Sequence, residues 1–134
     1  MELLTITTKR IPMDAMSYWP VLLVRPQYED NTPLIEHERV HLREQALAFA
    51  LAGTLMCVLG HVFTLSLWWA LLLLVNPWWL LYAVPAFRLH AEVRGYRVQV
   101  SHGGISRARA AQYIAENYKL NITQAEAERL LTGD

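Results

Sequence analysis

The chain has 134 residues, which suits a single domain that buries about two-thirds of its unfolded surface on folding. Lys plus Arg number 12 and Asp plus Glu number 12, so the net charge provides no general attraction to nucleic acid. The single cysteine, Cys57, excludes an internal disulfide and a zinc site built from Cys-x-x-Cys pairs.

The N-terminal segment, residues 1–31, is rich in β-forming residues. It contains Thr-Ile-Thr-Thr at 5–8 and then Val-Leu-Leu-Val at 21–24, in a stretch bounded by Pro20 and Pro26. Prolines at the ends of a strand are typical of sheet edges. We therefore predict one or two short edge strands here.

A helix is predicted to begin at Asn31-Thr32-Pro33, with Thr32 as its cap and Pro33 in the first helical position. This helix would carry the motif described next. We interpret residues 32–100 as the central part of the domain, because the glycine pair in Ser101-His-Gly-Gly104 marks a boundary.

Beyond the glycine pair, residues 105–134 have the pattern of two short amphipathic helices. The first is predicted from Ile105 to Asn117 and the second from Gln124 to Leu131. The sequence Thr123-Gln-Ala-Glu126 is a capping box that opens the second helix.

The segment His37-Glu38-Arg39-Val40-His41 has the pattern His-Glu-x-x-His. On a helix, residues four apart share a face, so both imidazoles can reach one ion, and zinc is the expected metal. Glu38 is then placed to accept a proton from a water molecule that zinc acidifies, and it is our candidate general base. Two solvated histidines with a chance glutamate between them are the simpler alternative.

A catalytic zinc site needs a third protein ligand, and Glu92 is the candidate. It is the first carboxylate after a long uncharged stretch and the last before Glu116. His90 is the alternative ligand, and a surface ion pair of Glu92 with a nearby arginine is the competing interpretation. Glu44, one turn beyond His41, is expected to orient a metal ligand through a hydrogen bond rather than bind the metal itself.

Residues 45–87 contain no Asp, Glu, Lys or Arg, which is 43 residues and enough for two membrane crossings. We predict an apolar helical hairpin with its turn near Leu65-Ser66, although Gly60-His61 and Asn76-Pro77 are better turn sequences. Its Trp68, Trp69, Trp78 and Trp79 suit an interfacial belt. Both ends would carry arginines, so the positive-inside tendency predicts a membrane protein whose active site faces the cytoplasm. A buried helical core in a soluble cytoplasmic protein is the alternative.

The motif, the apolar stretch and Glu92 together resemble the gluzincins, notably membrane peptidases of the HtpX and CaaX-type prenyl protein families. Asn76-Pro77-Trp78-Trp79 followed by Arg88 and Glu92 is also similar to the peptidase module of the BlaR and MecR sensors. Small metallopeptidase-like proteins of tailed phages have a similar length. The resemblance covers roughly residues 32–100.

This resemblance implies a mainly α, zincin-like core with short N-terminal edge strands, and it implies zinc as the cofactor. It also suggests that Val21 to Val24 is the edge strand that holds a peptide substrate by β-augmentation. Many gluzincins have Asp four residues after the ligand glutamate, where it orients a histidine. Here that position is Tyr96, which can form a hydrogen bond but brings no charge.

The sequence therefore favours a zinc-dependent peptidase that acts on a peptide or protein substrate. The alternative is a non-catalytic membrane or interaction protein with a structural metal site. Nucleic-acid binding is not expected, since Arg107 and Arg109 are too few to provide a phosphate-binding surface. A di-iron carboxylate protein also uses the spacing Glu38-x-x-His41, but the chain has no second Glu-x-x-His.

Overall fold

The structure is a computed structural model that describes residues 4–63 and 77–133. These residues form a mainly helical protein with a small N-terminal sheet, in agreement with the predicted class. In chain order, the elements are β1 Leu4–Thr7, β2 Ala15–Tyr18, β3 Val21–Val24, a short 3-10 helix Pro26–Tyr28, α1 Thr32–Phe63, α2 Pro77–Tyr82, α3 Pro85–Ser101, α4 Arg107–Asn117 and α5 Gln124–Thr132.

The sheet has three strands rather than the predicted one or two, in the order β1-β3-β2. β1 is parallel to β3, and β2 is antiparallel to β3, with Ala15 opposite Val24 and Tyr18 opposite Val21. Val21–Val24 is thus the central strand, so its predicted role as an edge strand is wrong. Its leucines and valines suit that place because Leu22 and Val24 are fully buried. β2 is the edge strand that lies beside α1.

Helix α1 begins at Thr32, one residue before the predicted first helical position at Pro33, and Asn31 caps it instead of Thr32. The side-chain oxygen of Asn31 accepts a hydrogen bond from the backbone N–H of Leu34, at 3.2 Å. The helix then runs without interruption to Phe63. The turn considered at Gly60-His61 is therefore wrong, and the one at Leu65-Ser66 lies outside the described residues.

No long apolar hairpin is found in the described residues, and none of their helices is long and apolar enough to cross a membrane. The predicted membrane location with a cytoplasm-facing active site is therefore wrong. Two side chains of the uncharged stretch are buried by protein: Gln45 is fully buried near β2, and Trp78 is 2% exposed beside His41. Other described side chains of the stretch, such as Leu51 and Leu80, are exposed. Trp68 and Trp69 lie outside the described residues.

Helices α1 and α3 pack against each other in antiparallel directions. The start of α1 meets the end of α3, where a Cβ built on Gly104 would lie 2.1 Å from the Cβ of Pro33. Further along the pair, His37 contacts Gly95, and His41 lies near Glu92. The glycine at the predicted boundary thus permits close contact between the two helices.

The two C-terminal helices form as predicted, and the capping box of Thr123 and Glu126 is confirmed. The side chain of Ser106 caps α4 by accepting a hydrogen bond from the N–H of Arg109. Small and branched residues of α4 and α5 pack against α3 in one apolar cluster, which includes Val93, Tyr96, Ala110, Ala111, Ile114, Ala127 and Leu131. This cluster supports the face of α3 that carries Glu92.

Candidate metal centre

The two histidines of the motif lie one turn apart on α1, and both side chains are buried. Their Nε2 atoms are 3.2 Å from each other. Their Nδ1 atoms have no hydrogen-bond partner within bonding distance among the described residues. The helix thus directs two ring nitrogens to one point, as the spacing of four residues requires.

Glu92 of α3 completes the group. Its Oε2 lies 3.7 Å from His37 Nε2, and its Oε1 lies 3.8 Å from His41 Nε2. One atom from each of the three side chains lies within 4.8 Å of the others, so the group can hold a metal ion. Glu92 is 3% exposed, which argues against the surface ion pair that competed with this interpretation.

Gly95 allows α3 to approach the motif. A Cβ built at this position would lie 2.7 Å from His37 Nε2 and 2.8 Å from His37 Cε1, closer than side chains tolerate. The imidazole therefore occupies the space that a side chain at 95 would fill. A sequence signal of this role does exist: a glycine inside a helix, three residues after Glu92, costs about 1 kcal/mol relative to alanine, so its presence indicates a packing role.

Glu38 lines the same small cavity, which has a volume of about 50 Å³ and is also lined by the donor group, Ser17 and three aromatic side chains of α2. Burial raises the pKa of the Glu38 carboxyl, and the nearby charge of Glu92 acts in the same direction. The charge of His41 and hydrogen bonds from Ser17 oppose this rise. A carboxylate with a raised pKa beside a metal site is suited to accept and return a proton.

Glu44 lies behind His41, where we expected a supporting residue. Its Oε2 is 3.6 Å from His41 Nδ1 and accepts a hydrogen bond from Trp78 Nε1 at 3.3 Å. Its Oε1 is 3.1 Å from Arg94 Nη1. Burial raises the pKa of Glu44, but its contacts with His41, Trp78 and Arg94 outweigh burial and the pKa is lowered. Glu44 is therefore held as a carboxylate, which can orient the imidazole of His41.

The electrostatics of the two histidines differ. Burial lowers the pKa of His37 to about 3, and the nearby charge of His41 contributes. Burial also disfavours the charged form of His41, but the contact of its Nδ1 with Glu44 and the charges of Glu92 and Glu38 outweigh burial and raise the pKa. His37 is thus neutral at physiological pH and has a lone pair for a metal, whereas the raised pKa of His41 means that a proton competes more strongly with a metal at that ring.

Two other predicted residues lie elsewhere. His90 is exposed on α3 and is not part of the donor group. The Tyr96 ring packs edge-on against His37 with 4.6 Å between ring centres, and its hydroxyl lies 3.2 Å from that of Tyr118. Tyr96 therefore supports His37 by packing, while its hydroxyl pairs with another phenol rather than with a ligand.

Tyr82 and Tyr118 line the cavity, and the sequence did not point to either of them. The Tyr82 hydroxyl donates a hydrogen bond to Glu92 Oε1. Burial and the charge of Glu92 raise the pKa of both phenols, so both keep their protons. Tyr82 belongs to α2 and Tyr118 follows α4, and no local pattern in those segments predicts a contact with α3.

The comparison with known proteins returns no match: no family model, no curated protein and no solved structure is significantly similar to this chain.

Proposed function

We propose that the protein is a zinc-dependent peptidase in which His37, His41 and Glu92 hold the metal and Glu38 is the general base. The observation that carries this proposal is a buried group of two imidazoles and one carboxylate, with a second carboxylate in the same cavity. Two histidines and a glutamate are the ligand set of a major class of catalytic zinc sites, which leave a coordination position open.

The donor group fits such an ion. Glu92 Oε2 is buried and has no hydrogen-bond partner within the described residues, a costly state that a cation would relieve. The two Nε2 atoms face each other at 3.2 Å, and the low pKa of His37 leaves its ring nitrogen unprotonated. Imidazole and carboxylate donors are ligands that zinc accepts, and two imidazoles with one carboxylate also suit iron(II).

When bound, zinc acts as a Lewis acid that polarises a carbonyl and lowers the pKa of water to about 7. Glu38 accepts a proton from the attacking water as the water oxygen bonds to the peptide carbonyl carbon. Glu38 then returns this proton to the amide nitrogen as the C–N bond breaks. Hydrogen bonds from Ser17 orient the Glu38 carboxylate, and Tyr82 holds that of Glu92.

Strand β2 is suited to bind the substrate backbone. It is an edge strand of the described sheet, and its residues Ala15, Met16 and Ser17 line the cavity. An extended peptide would pair with β2 at its Ala15 end and pass Glu38, in the mode of β-augmentation, because Gln45 already bonds to the Ser17 carbonyl and the Trp19 N–H. The strand proposed to pair with the peptide is therefore Ala15–Tyr18 and not Val21–Val24, which the sequence favoured.

The experiment combines metal analysis with cleavage of a peptide pool. Wild type should hold about one zinc per chain, and Glu38→Gln should keep the metal but lose cleavage. Glu92→Ala should lose zinc, whereas His90→Ala, on the exposed side of the same helix, should keep both zinc and activity. Cleavage at the wild-type rate by Glu38→Gln would refute its role as the base.

A structural metal site without catalysis is the second candidate. The three donors are 3–5% exposed and their cavity is about 50 Å³, which is the kind of closed environment that structural sites have. The cobalt-substituted protein distinguishes the two. A hydroxamate should change its visible spectrum if a coordination position is open, and an unchanged spectrum would favour the structural role.

A further inference from the structure

A cleft of about 670 Å³ adjoins the candidate metal centre. It shares His37, Glu38 and Tyr118 with the small cavity, and it continues toward α4. A substrate whose scissile bond lies at Glu38 would therefore place its neighbouring residues in this cleft. The walls of the cleft decide which residues those are.

A row of aromatic rings leads from the metal centre to Arg109. The rings of His37 and Tyr96 are 4.6 Å apart, those of Tyr96 and Tyr113 are 6.4 Å apart, and the Arg109 guanidinium lies 4.7 Å from the centre of Tyr113. These steps limit the separation of His37 and the guanidinium to about 16 Å, which four or five extended residues span.

Two hydrogen bonds position the guanidinium of Arg109, but neither partner is an anion. Its Nη1 donates to Gln112 Oε1 at 2.8 Å and its Nη2 to the Tyr113 hydroxyl at 3.3 Å, and both acceptors are neutral. Within the described residues, Arg109 makes no ion pair and is the sole Arg or Lys that lines the cleft. Besides Glu38, the cleft has one acidic side chain among its lining residues, Asp14. Asp14 forms an ion pair with Arg25, at 3.5 Å.

From these contacts we infer that the cleft selects peptides with a carboxylate within four or five residues of the scissile bond, and that Arg109 binds this carboxylate. The carboxylate comes either from an Asp or Glu side chain or from the peptide C-terminus. A guanidinium with a fixed plane recognises both by the same pair of hydrogen bonds. This inference rests on the proposed function for the position of the substrate.

The test measures peptide binding rather than cleavage, using zinc-loaded Glu38→Gln protein and fluorescein-labelled peptides in anisotropy titrations. Four peptides share one sequence and differ in Glu or Gln at a position four residues from the central bond, and in a free or amidated C-terminus. The preferred carboxylate should tighten binding about tenfold, as a charge-assisted hydrogen bond does. The peptide that shows the gain identifies the source of the carboxylate.

Two further substitutions in that background assign the preference to one arginine. Arg109→Gln should bind all four peptides equally, and Arg109→Lys should keep part of the preference. Arg107→Gln is the matched control, because Arg107 lies on the same helix but lines a different cavity with Arg97 and Leu131. It should retain the full preference, and circular dichroism should show the same helix content in all variants.

Equal affinity for the four peptides, absence of measurable binding by the carboxylate peptides, or equal losses in the Arg107 and Arg109 variants would overturn the inference. The proposed function is judged separately by cleavage with wild-type protein. If the carboxylate preference is present and no peptide is cleaved, Arg109 binds as inferred and the peptidase assignment fails. If peptides are cleaved without preference, the peptidase assignment stands and the role of Arg109 fails.

Discussion

The amide of Gln45 joins helix α1 to strand β2, two turns beyond Glu38 along the helix. Its Oε1 accepts a hydrogen bond from the Trp19 N–H at 2.7 Å, and its Nε2 lies 3.1 Å from the Ser17 carbonyl and 3.2 Å from the Ser17 hydroxyl oxygen. The side chain is fully buried. Gln45→Ala would therefore leave buried polar groups on β2 without these partners.

The expected loss of stability follows from those contacts. Three hydrogen bonds at about 1 kcal/mol each give about 3 kcal/mol, and the cavity left by the side chain raises the loss toward ~5 kcal/mol. This is a large part of the 5–15 kcal/mol typical of a domain. In urea titrations followed by circular dichroism, the midpoint should fall by roughly 1–3 M.

Gln112→Ala is the matched control for this measurement. Gln112 also makes two side-chain hydrogen bonds, but both are exposed, so its replacement should cost less than about 1 kcal/mol. If Gln45→Ala costs no more than Gln112→Ala, the amide does not hold β2 to α1 and the reasoning is refuted.

Three further predictions concern the donor group. Gly95→Ala should reduce zinc affinity at least tenfold, measured by competition with a chelator, because the new Cβ would displace His37. Gly53→Ala is the control: a Cβ at 53 has open space, so this substitution should add about 1 kcal/mol to the free energy of unfolding. Tyr82→Phe removes the hydrogen bond to Glu92 and should weaken zinc binding 10- to 100-fold in the same assay, and an unchanged affinity would contradict that role. In metal-free protein, the unfolded chain protonates His37 near pH 6.5 but the folded chain only near pH 3, so its contribution to the free energy of unfolding should fall as pH is lowered between these values. Urea titrations of wild type and His37→Gln from pH 7 to 4 check this, and parallel curves would argue against it.

Local signals predicted much of the helical structure. The capping box at Thr123 predicted the start of α5, and Pro33 predicted the start of α1 to within one residue. The glycine pair at 103–104 predicted the end of α3. These signals act within a few residues, because caps and turns satisfy backbone groups nearby. The assignment of Asn31 as the cap of α1 in place of Thr32 shows their usual error of one residue.

Composition alone does not show which side chains of the apolar stretch are buried by protein. Trp78 looked like an interfacial residue, but its ring stacks on Tyr82 and lies near His41 in the core. Gln45, at the start of the stretch, is buried by hydrogen bonds to β2. Burial by distant segments leaves no periodic signal in the sequence.

The candidate site was predicted where its residues are close in sequence or chemically distinctive. His37, Glu38 and His41 form one motif, and Glu92 stood out as the first carboxylate after 43 uncharged residues. Gly95 and Tyr82 were missed since they act through contacts between helices. Such contacts depend on how α1, α2 and α3 pack, which a single sequence does not specify.

The antiparallel register of α1 and α3 makes the spacing of residues in both helices critical. Pro33 meets Gly104 just beyond α3, His37 meets Gly95, and His41 lies near Glu92, so the contacts follow each other in opposite order along the two segments. One residue inserted between Glu92 and Gly95 would rotate the carboxylate by about 100° relative to the glycine. Insertions and deletions should therefore be tolerated in the turn between α4 and α5 but not within residues 33–41 or 92–104.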